Sequence, residues 1–137
     1  MSRDLPRSFR LKVANRANFR CEYCLVPEYF LATIFHVDHI RSTKHGGLSV
    51  LENLAFACPH CNQNKGSDVA TFTDAEDEET IRLFNPRKDD WNAHFEVQDG
   101  EIIPMTKIGE ATARILGFNQ PDRLIFRNTL MMAGKYP

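Results

Sequence analysis

Two Cys-x-x-Cys pairs, Cys21/Cys24 and Cys58/Cys61, limit what this chain can fold into more than any other feature. Each pair puts two sulfurs on a tight turn, and two such turns complete the tetrahedron that zinc takes. The pairs are 33 residues apart, longer than in a compact zinc ribbon. A zinc ion there would clamp the two ends of an inserted unit. Closing a loop of that length restricts the unfolded chain strongly. Four thiolates fill every position of the tetrahedron, so the expected zinc is structural. Two rival readings are a redox-active Cys-x-x-Cys and an empty, reduced site. The redox reading would call for a thioredoxin-like βαβ pattern, which neither pair has around it.

Whether those cysteines bind metal or form disulfides depends on the compartment. Within 137 residues no apolar run is long enough to cross a membrane. Met1-Ser2-Arg3-Asp4-Leu5-Pro6 lacks the apolar centre of a secretory signal. The expectation is a cytoplasmic protein with no membrane partner, in which paired cysteines bind metal. The net charge of -1 hides an asymmetry. Residues 1–67 hold nine Lys/Arg against five Asp/Glu, and residues 68–137 hold eight against thirteen. A basic half that carries the metal ligands suits a polyanion. Scattered Arg and Lys solvating a helix would give the same count.

Along the chain, Pro6 to Ala17 reads as a helix with Phe9, Val13 and Ala17 as its apolar stripe. Arg7, Arg10 and Arg16 lie off that stripe, facing either phosphates or water. Phe35 to Ile40 alternates as a strand does, and Lys44-His45-Gly46-Gly47 reads as a turn. Ser49 to Ala57 is a short apolar stretch, and a short helix is expected to begin after Cys61 and end near Gly66. Asp74 to Glu79 is an acidic linker or helix start. Ile81 to Asn92 has too many breaks for a long helix. His94–Val97 and Glu101–Pro104 flank Asp99-Gly100, a strong hairpin signal. Thr106 caps a helix to Leu116 with Gly117 as its stop, and a last helix runs from Pro121 to about Met132.

Asp38-His39 on the strand carry the chemistry. Neighbouring strand side chains face opposite ways, so the two can divide the work. Hydrolysis of a phosphodiester needs a base for water, a cation for the developing charge, and something to orient the base. A neutral imidazole suits the first of these.

Cys21-x-x-Cys24, Val37-Asp38-His39-Ile40, Gly46-Gly47, Glu52-Asn53-Leu54 and Cys58-Pro59-His60-Cys61-Asn62-x-x-Lys65-Gly66 together resemble the HNH endonucleases. They are most similar to the zinc-containing branch found as free-standing bacterial proteins. The resemblance covers roughly residues 7–68. It implies an α+β fold with a ββα-metal (His-Me finger) core of two strands and a helix around one divalent ion. By position, His39 is implied as general base. Asn53 is implied as the residue that holds the base-bearing loop through backbone hydrogen bonds. Asp38 and Asn62 are implied as ligands of the catalytic metal. Asn62 stands where many members carry a final His, as in the HNH domain of CRISPR effector nucleases. A hard amide oxygen there favours Mg2+ or Mn2+ over softer ions. Arg41, Lys44, His45 and Lys65 lie near and are expected to bind flanking phosphates, with plain surface exposure as the other reading.

His36 shares a strand face with Asp38 and is read as structural or phosphate-facing; His60 is read as a solvent-facing knuckle residue. The expected division is 1–70 as nuclease core and 71–137 as an accessory α+β subdomain, a hairpin with helices packed on the core. Trp91 and Phe95 are read as core or interface packing. The expected substrate is DNA, with RNA possible, and the oligomeric state stays open between monomer and homodimer. The rival from another class is a zinc-stabilised nucleic-acid-binding module with no hydrolytic step.

Overall fold

The computed structural model describes residues 5–137. Helices and short antiparallel strand pairs mix in an α+β arrangement, with three separate two-stranded sheets. The chain divides into two units, Met1–Ser67 and Asp68–Pro137. The division lies three residues before the boundary read from the sequence. No helix among the described residues is long and apolar enough to cross a membrane.

In the first unit, helix α1 spans Arg7–Arg16, with Pro6 and Ala17 as its flanking residues. Its buried residues are Val13 and Ala14, so the apolar face is one residue off the expected stripe. Strand β1 (His36–His39) pairs antiparallel with β2 (Leu54–Ala57), with His36 opposite Ala57 and His39 opposite Leu54. Every residue of β2 is buried. The Cys21–Cys24 turn extends this pairing: Glu22 N–H donates to the Phe56 carbonyl at 2.8 Å, and Phe56 N–H donates to Glu22 Oε1 at 2.9 Å. Helix α2 spans Pro59–Lys65 and packs on β1. It starts earlier than expected, because Pro59 lacks only an N–H that would be unpaired there and Cys58 Sγ accepts from Cys61 N–H. Cys61 and Asn62 therefore lie inside the helix.

The arginines of α1 do something the sequence did not indicate. Arg10 donates to the Phe35 carbonyl at 2.7 Å and pairs with Glu28 at 3.1 Å, with its guanidinium 5.5 Å from the Phe56 ring. Arg16 donates to the Leu51 and Leu54 carbonyls at 3.0 and 2.6 Å. Both hold backbone on either side of the β1–β2 pair, which removes them from the candidate phosphate contacts. Arg7 is exposed.

The second unit opens with a minimal pair, β3 (Ala70–Thr71) and β4 (Ile81–Arg82). The acidic run between them is a turn in which Asp77 accepts from Thr73 Oγ1 at 2.6 Å. Helix α3 (Trp91–His94) leads into the hairpin β5 (Phe95–Gln98) and β6 (Glu101–Pro104). Asp99 and Gly100 both take positive φ, 51° and 83°, as the Asp-Gly signal requires. Helix α4 (Lys107–Leu116) is capped by Thr106, which accepts from Gly109 N–H, and ends at a left-handed Gly117. Helix α5 spans Pro121–Met132. Phe95 is the centre of this core, with Trp91, Phe84 and Phe118 rings 5.0 to 5.6 Å away. Trp91 and Phe95 thus pack within the unit.

Candidate active site and metal centre

The four cysteine sulfurs lie within 4.8 Å of one another, and all four residues are buried. Cys24 and Cys58 sulfurs are 3.7 Å apart. That is far beyond the roughly 2.05 Å of a disulfide. It is close to the edge of a tetrahedron with metal–sulfur bonds of about 2.3 Å, which is about 3.8 Å. Backbone N–H groups of Tyr23 and Cys24 point at Cys21 Sγ, and that of Cys61 at Cys58 Sγ, each at 3.4 Å. Such contacts stabilise thiolate. Burial first, and then contacts among the neighbouring cysteines, leave the Cys21 and Cys61 thiols well up, so these two would need a cation beside them to stand as thiolates. The cluster could hold a metal such as zinc, and its chemistry fits that ion. Among the described residues it is the one group of three or more Cys, His, Asp or Glu spaced for a metal.

Asp38 and His39 sit at the end of β1, and both are buried, 1% and 2% exposed. Asp38 turns toward α2, where its Oδ2 lies 3.2 Å from Lys65 Nζ. Lys65 also donates to the His39 carbonyl at 3.1 Å and is itself 2% exposed. The residue expected at a flanking phosphate is thus the internal partner of the Asp-His pair. One signal was available: Cys61 must face inward, and Lys65 follows it by one helical turn. Burial raises the Asp38 carboxyl to about 6, with Lys65 opposing that rise. Burial, and then positive charge including Lys65, lowers His39. An imidazole lowered from 6.5 is neutral at pH 7, the form a base requires.

The loop after β1 returns to β2 under the control of Asn53. Its Oδ1 accepts from Arg41 N–H at 2.9 Å, and its Nδ2 donates to the Arg41 and Leu48 carbonyls, each at 2.9 Å. Its carbonyl takes Ile40 N–H at 2.8 Å. A Cβ at Gly47 would lie 1.7 Å from the Arg41 carbonyl oxygen, so the loop closes only around glycine there. Ser49, on the same loop, lies 2.9 Å from His39 Nε2. Nothing in the sequence pattern marks Ser49, since the contact depends on loop closure.

Asn62 is half-buried on α2, and its side-chain amide makes no hydrogen bond to another described residue. Arg41 is exposed and its Nε donates to the His45 carbonyl at 2.7 Å. Lys44 and His45 are exposed in a 3-10 turn, Thr43–His45, and their side chains have no hydrogen-bond partner among the described residues. His36 and His60 are exposed. Asp38 Oδ2, His39 Nδ1 and Ser42 Oγ are buried and lack a hydrogen bond of good geometry. Three such atoms within five residues mark this end of β1 as polar and under-satisfied, which is where a ligand or reacting group belongs. Asp38 and Asn62 supply hard oxygens of the type that fits Mg2+ or Mn2+, although the Asp38 Oδ2 has an ammonium beside it.

Residues 21–68 match the family model described as HNH endonuclease. The match spans all four cysteines and Asp38, His39, Asn53 and Asn62, so the resemblance read from the motifs holds over that segment. That family generally comprises nucleases, which act on nucleic acids with divalent metals. No curated protein and no solved structure matches the chain.

Proposed function

We propose that the chain is a metal-dependent endonuclease hydrolysing phosphodiester bonds of DNA. The β1–β2 pair and α2 act as a ββα-metal core within residues 1–70, and residues 71–137 serve as an accessory subdomain. The four cysteines hold a structural zinc. The observation that carries the reading is the Asp38-His39 pair at the end of β1, locked by Asn53 and backed by the helix that carries Asn62. Within a nucleic-acid-cutting family, this arrangement combines a neutral imidazole, hard oxygens and a fixed loop.

In the proposed mechanism His39 takes a proton from water, and the resulting hydroxide attacks phosphorus in line. Asp38 and Asn62 would hold Mg2+ or Mn2+, which supplies charge neutralisation at phosphorus and the departing oxygen. Asn53 fixes the loop so that the imidazole keeps its angle. Lys65 keeps Asp38 charged and oriented from behind. Arg41, Lys44 and His45 lie on the exposed side of this loop, where flanking phosphates are the contacts their charge suits.

A second reading, a zinc-stabilised nucleic-acid-binding module without hydrolysis, has one observation in its favour. His39 is buried and Lys65 already neutralises Asp38. Nicking of supercoiled plasmid separates the two. Wild type with Mg2+ is expected to nick, and EDTA or His39→Ala to stop it. Wild type and His39→Ala cutting alike would remove His39 as base. Binding by both with no cutting would leave the second reading.

A further inference from the structure

We propose that Ser49 is the positioning residue for His39: it accepts the Nε2–H of the imidazole and so fixes the ring, with Nδ1 as the lone-pair nitrogen. The catalytic consequence rests on the nuclease reading above; the hold on the ring does not.

The 2.9 Å contact between His39 Nε2 and Ser49 Oγ fits either direction of donation. Burial decides between them. His39 is 2% exposed and its Nδ1 has no hydrogen-bond partner, whereas Ser49 is exposed. Were the serine to donate, the ring's own proton would sit on Nδ1, buried and with no acceptor. A buried N–H without an acceptor is rarer and costlier than an unused lone pair. In the other arrangement Nε2–H donates to Ser49 Oγ, and the serine hydroxyl proton turns outward to water. Every proton then has an acceptor. The nitrogen left unprotonated is Nδ1, which is buried and has no hydrogen-bond partner among the described residues; in the nuclease reading its lone pair would take the proton of a water brought to it with the substrate.

The serine is itself held. Leu48, its neighbour, gives its carbonyl to Asn53 Nδ2 at 2.9 Å, and the same nitrogen takes the Arg41 carbonyl at 2.9 Å. Gly47 permits the approach of Arg41 that this requires. A continuous set of contacts therefore runs from Asn53 through residues 48 and 49 to the imidazole. Asn53 sets the loop, and Ser49 passes that position to the ring.

The test uses the full chain labelled with 15N-histidine, as wild type, Ser49→Ala and Ser49→Thr. Ring 15N shifts report the tautomer, and plasmid nicking with Mg2+ reports kcat and KM. Wild type and Ser49→Thr are expected to show Nε2–H. Ser49→Ala is expected to keep Nε2–H, since Nδ1 still lacks an acceptor, but to shift the Nε2 resonance as its partner is lost, and to lose about 10- to 100-fold in kcat with KM unchanged, the usual cost of releasing an orienting partner. Threonine, which keeps the oxygen, restores the rate. Nδ1–H in wild type, or an Nε2 resonance unchanged in Ser49→Ala, overturns the proposal. So does a threonine variant that behaves as alanine in both readouts. If Ser49→Ala fails to fold, the tautomers of wild type and Ser49→Thr still decide. A wild type that cuts nothing while its Nε2 resonance follows Ser49 upholds the contact and overturns only the nuclease reading.

Discussion

Replacing Lys65 by Met removes the ammonium from beside a carboxylate that is 1% exposed. At the observed 3.2 Å the attraction is about 5 kcal/mol at an effective dielectric of about 20. Much of that offsets the cost of burying both charges. Deleting one partner leaves the other charge buried alone, and the expected loss is about 3–5 kcal/mol at pH 7.5. Met matches the volume of Lys, so little of this is a packing effect. Asp38→Asn together with Lys65→Met removes both charges and is expected to recover most of the loss, giving a coupling of about 2–3 kcal/mol. The pH dependence has a definite sign. Asp38 rises from 3.8 to about 6 on folding, so the folded protein holds that proton more tightly than the unfolded chain. Its contribution to stability is therefore greatest below pH 4 and falls by about 3 kcal/mol as the pH rises through 6. Without Lys65 the carboxyl rises further, so the Lys65→Met penalty should shrink at pH 5, where Asp38 takes up a proton instead. Lys65 also contributes to the lowering of His39, so the same series on a His39→Gln background separates the Asp38 dependence from that of the imidazole. Trp91 lies in the second unit, so its fluorescence does not follow this site. Hydrogen exchange across residues 35–57 does. An equal penalty at pH 5 and 7.5, or a double variant no better than the sum of the singles, would refute the buried-pair argument.

Four further outcomes follow from the same geometry. Metal analysis of purified protein should find one zinc per chain, and a strong chelator should unfold the first unit, because metal binding at such a site supplies about 10 kcal/mol or more of folding free energy. Asn53→Ala removes three side-chain hydrogen bonds and should cost about 2–4 kcal/mol in urea unfolding at roughly 1 kcal/mol each, with nicking lost as well. Gly47→Ala puts a methyl 1.7 Å from the Arg41 carbonyl oxygen and should lower the melting temperature sharply; a melting temperature equal to wild type would contradict that closure. In a metal screen, Mg2+ or Mn2+ should support cutting and Zn2+ should support it poorly; fastest cutting with Zn2+ alone would contradict an all-oxygen site.

What the sequence made legible was the part fixed by local rules. Cysteine spacing brings four sulfurs together because a Cys-x-x-Cys turn has one geometry. Asp99-Gly100 makes a hairpin because both residues tolerate positive φ. Thr106 and Gly117 bound a helix for similarly local reasons. Asp38 and His39 could be placed on a strand because alternation has a period of two. The start of α2 was misplaced by three residues because Cys58 acts as its cap, a task usually assigned to Ser, Thr, Asp or Asn.

The destinations of the charges were not legible, and the chemistry of the site depends on them. The first 67 residues hold nine Lys and Arg, and a count of them suggests a surface for a polyanion. Among the described residues the structure puts five of them to different uses. Arg10 and Arg16 spend their donors on carbonyls beside the β1–β2 pair, and Lys65 faces inward to Asp38. Arg41 and Lys44 remain exposed at the loop after β1. So among the described residues three of these charges hold the frame and two stand at the loop beside His39, while Arg7 and Lys12 are exposed on α1. The first group explains how a buried Asp-His pair is kept at the end of a four-residue strand. Backbone carbonyls on each side are pinned by guanidinium groups, and the carboxylate is held by an ammonium on the helix behind it. A phosphate beside His39 would then meet the second group. Neutralising Arg41 and Lys44 should therefore weaken nucleic-acid binding and its salt dependence without unfolding the protein, whereas neutralising Arg10 or Arg16 should do the reverse. That contrast is readable in one filter-binding series beside one melting curve. If Arg10→Met weakened binding at wild-type stability, the division between frame and loop would fail.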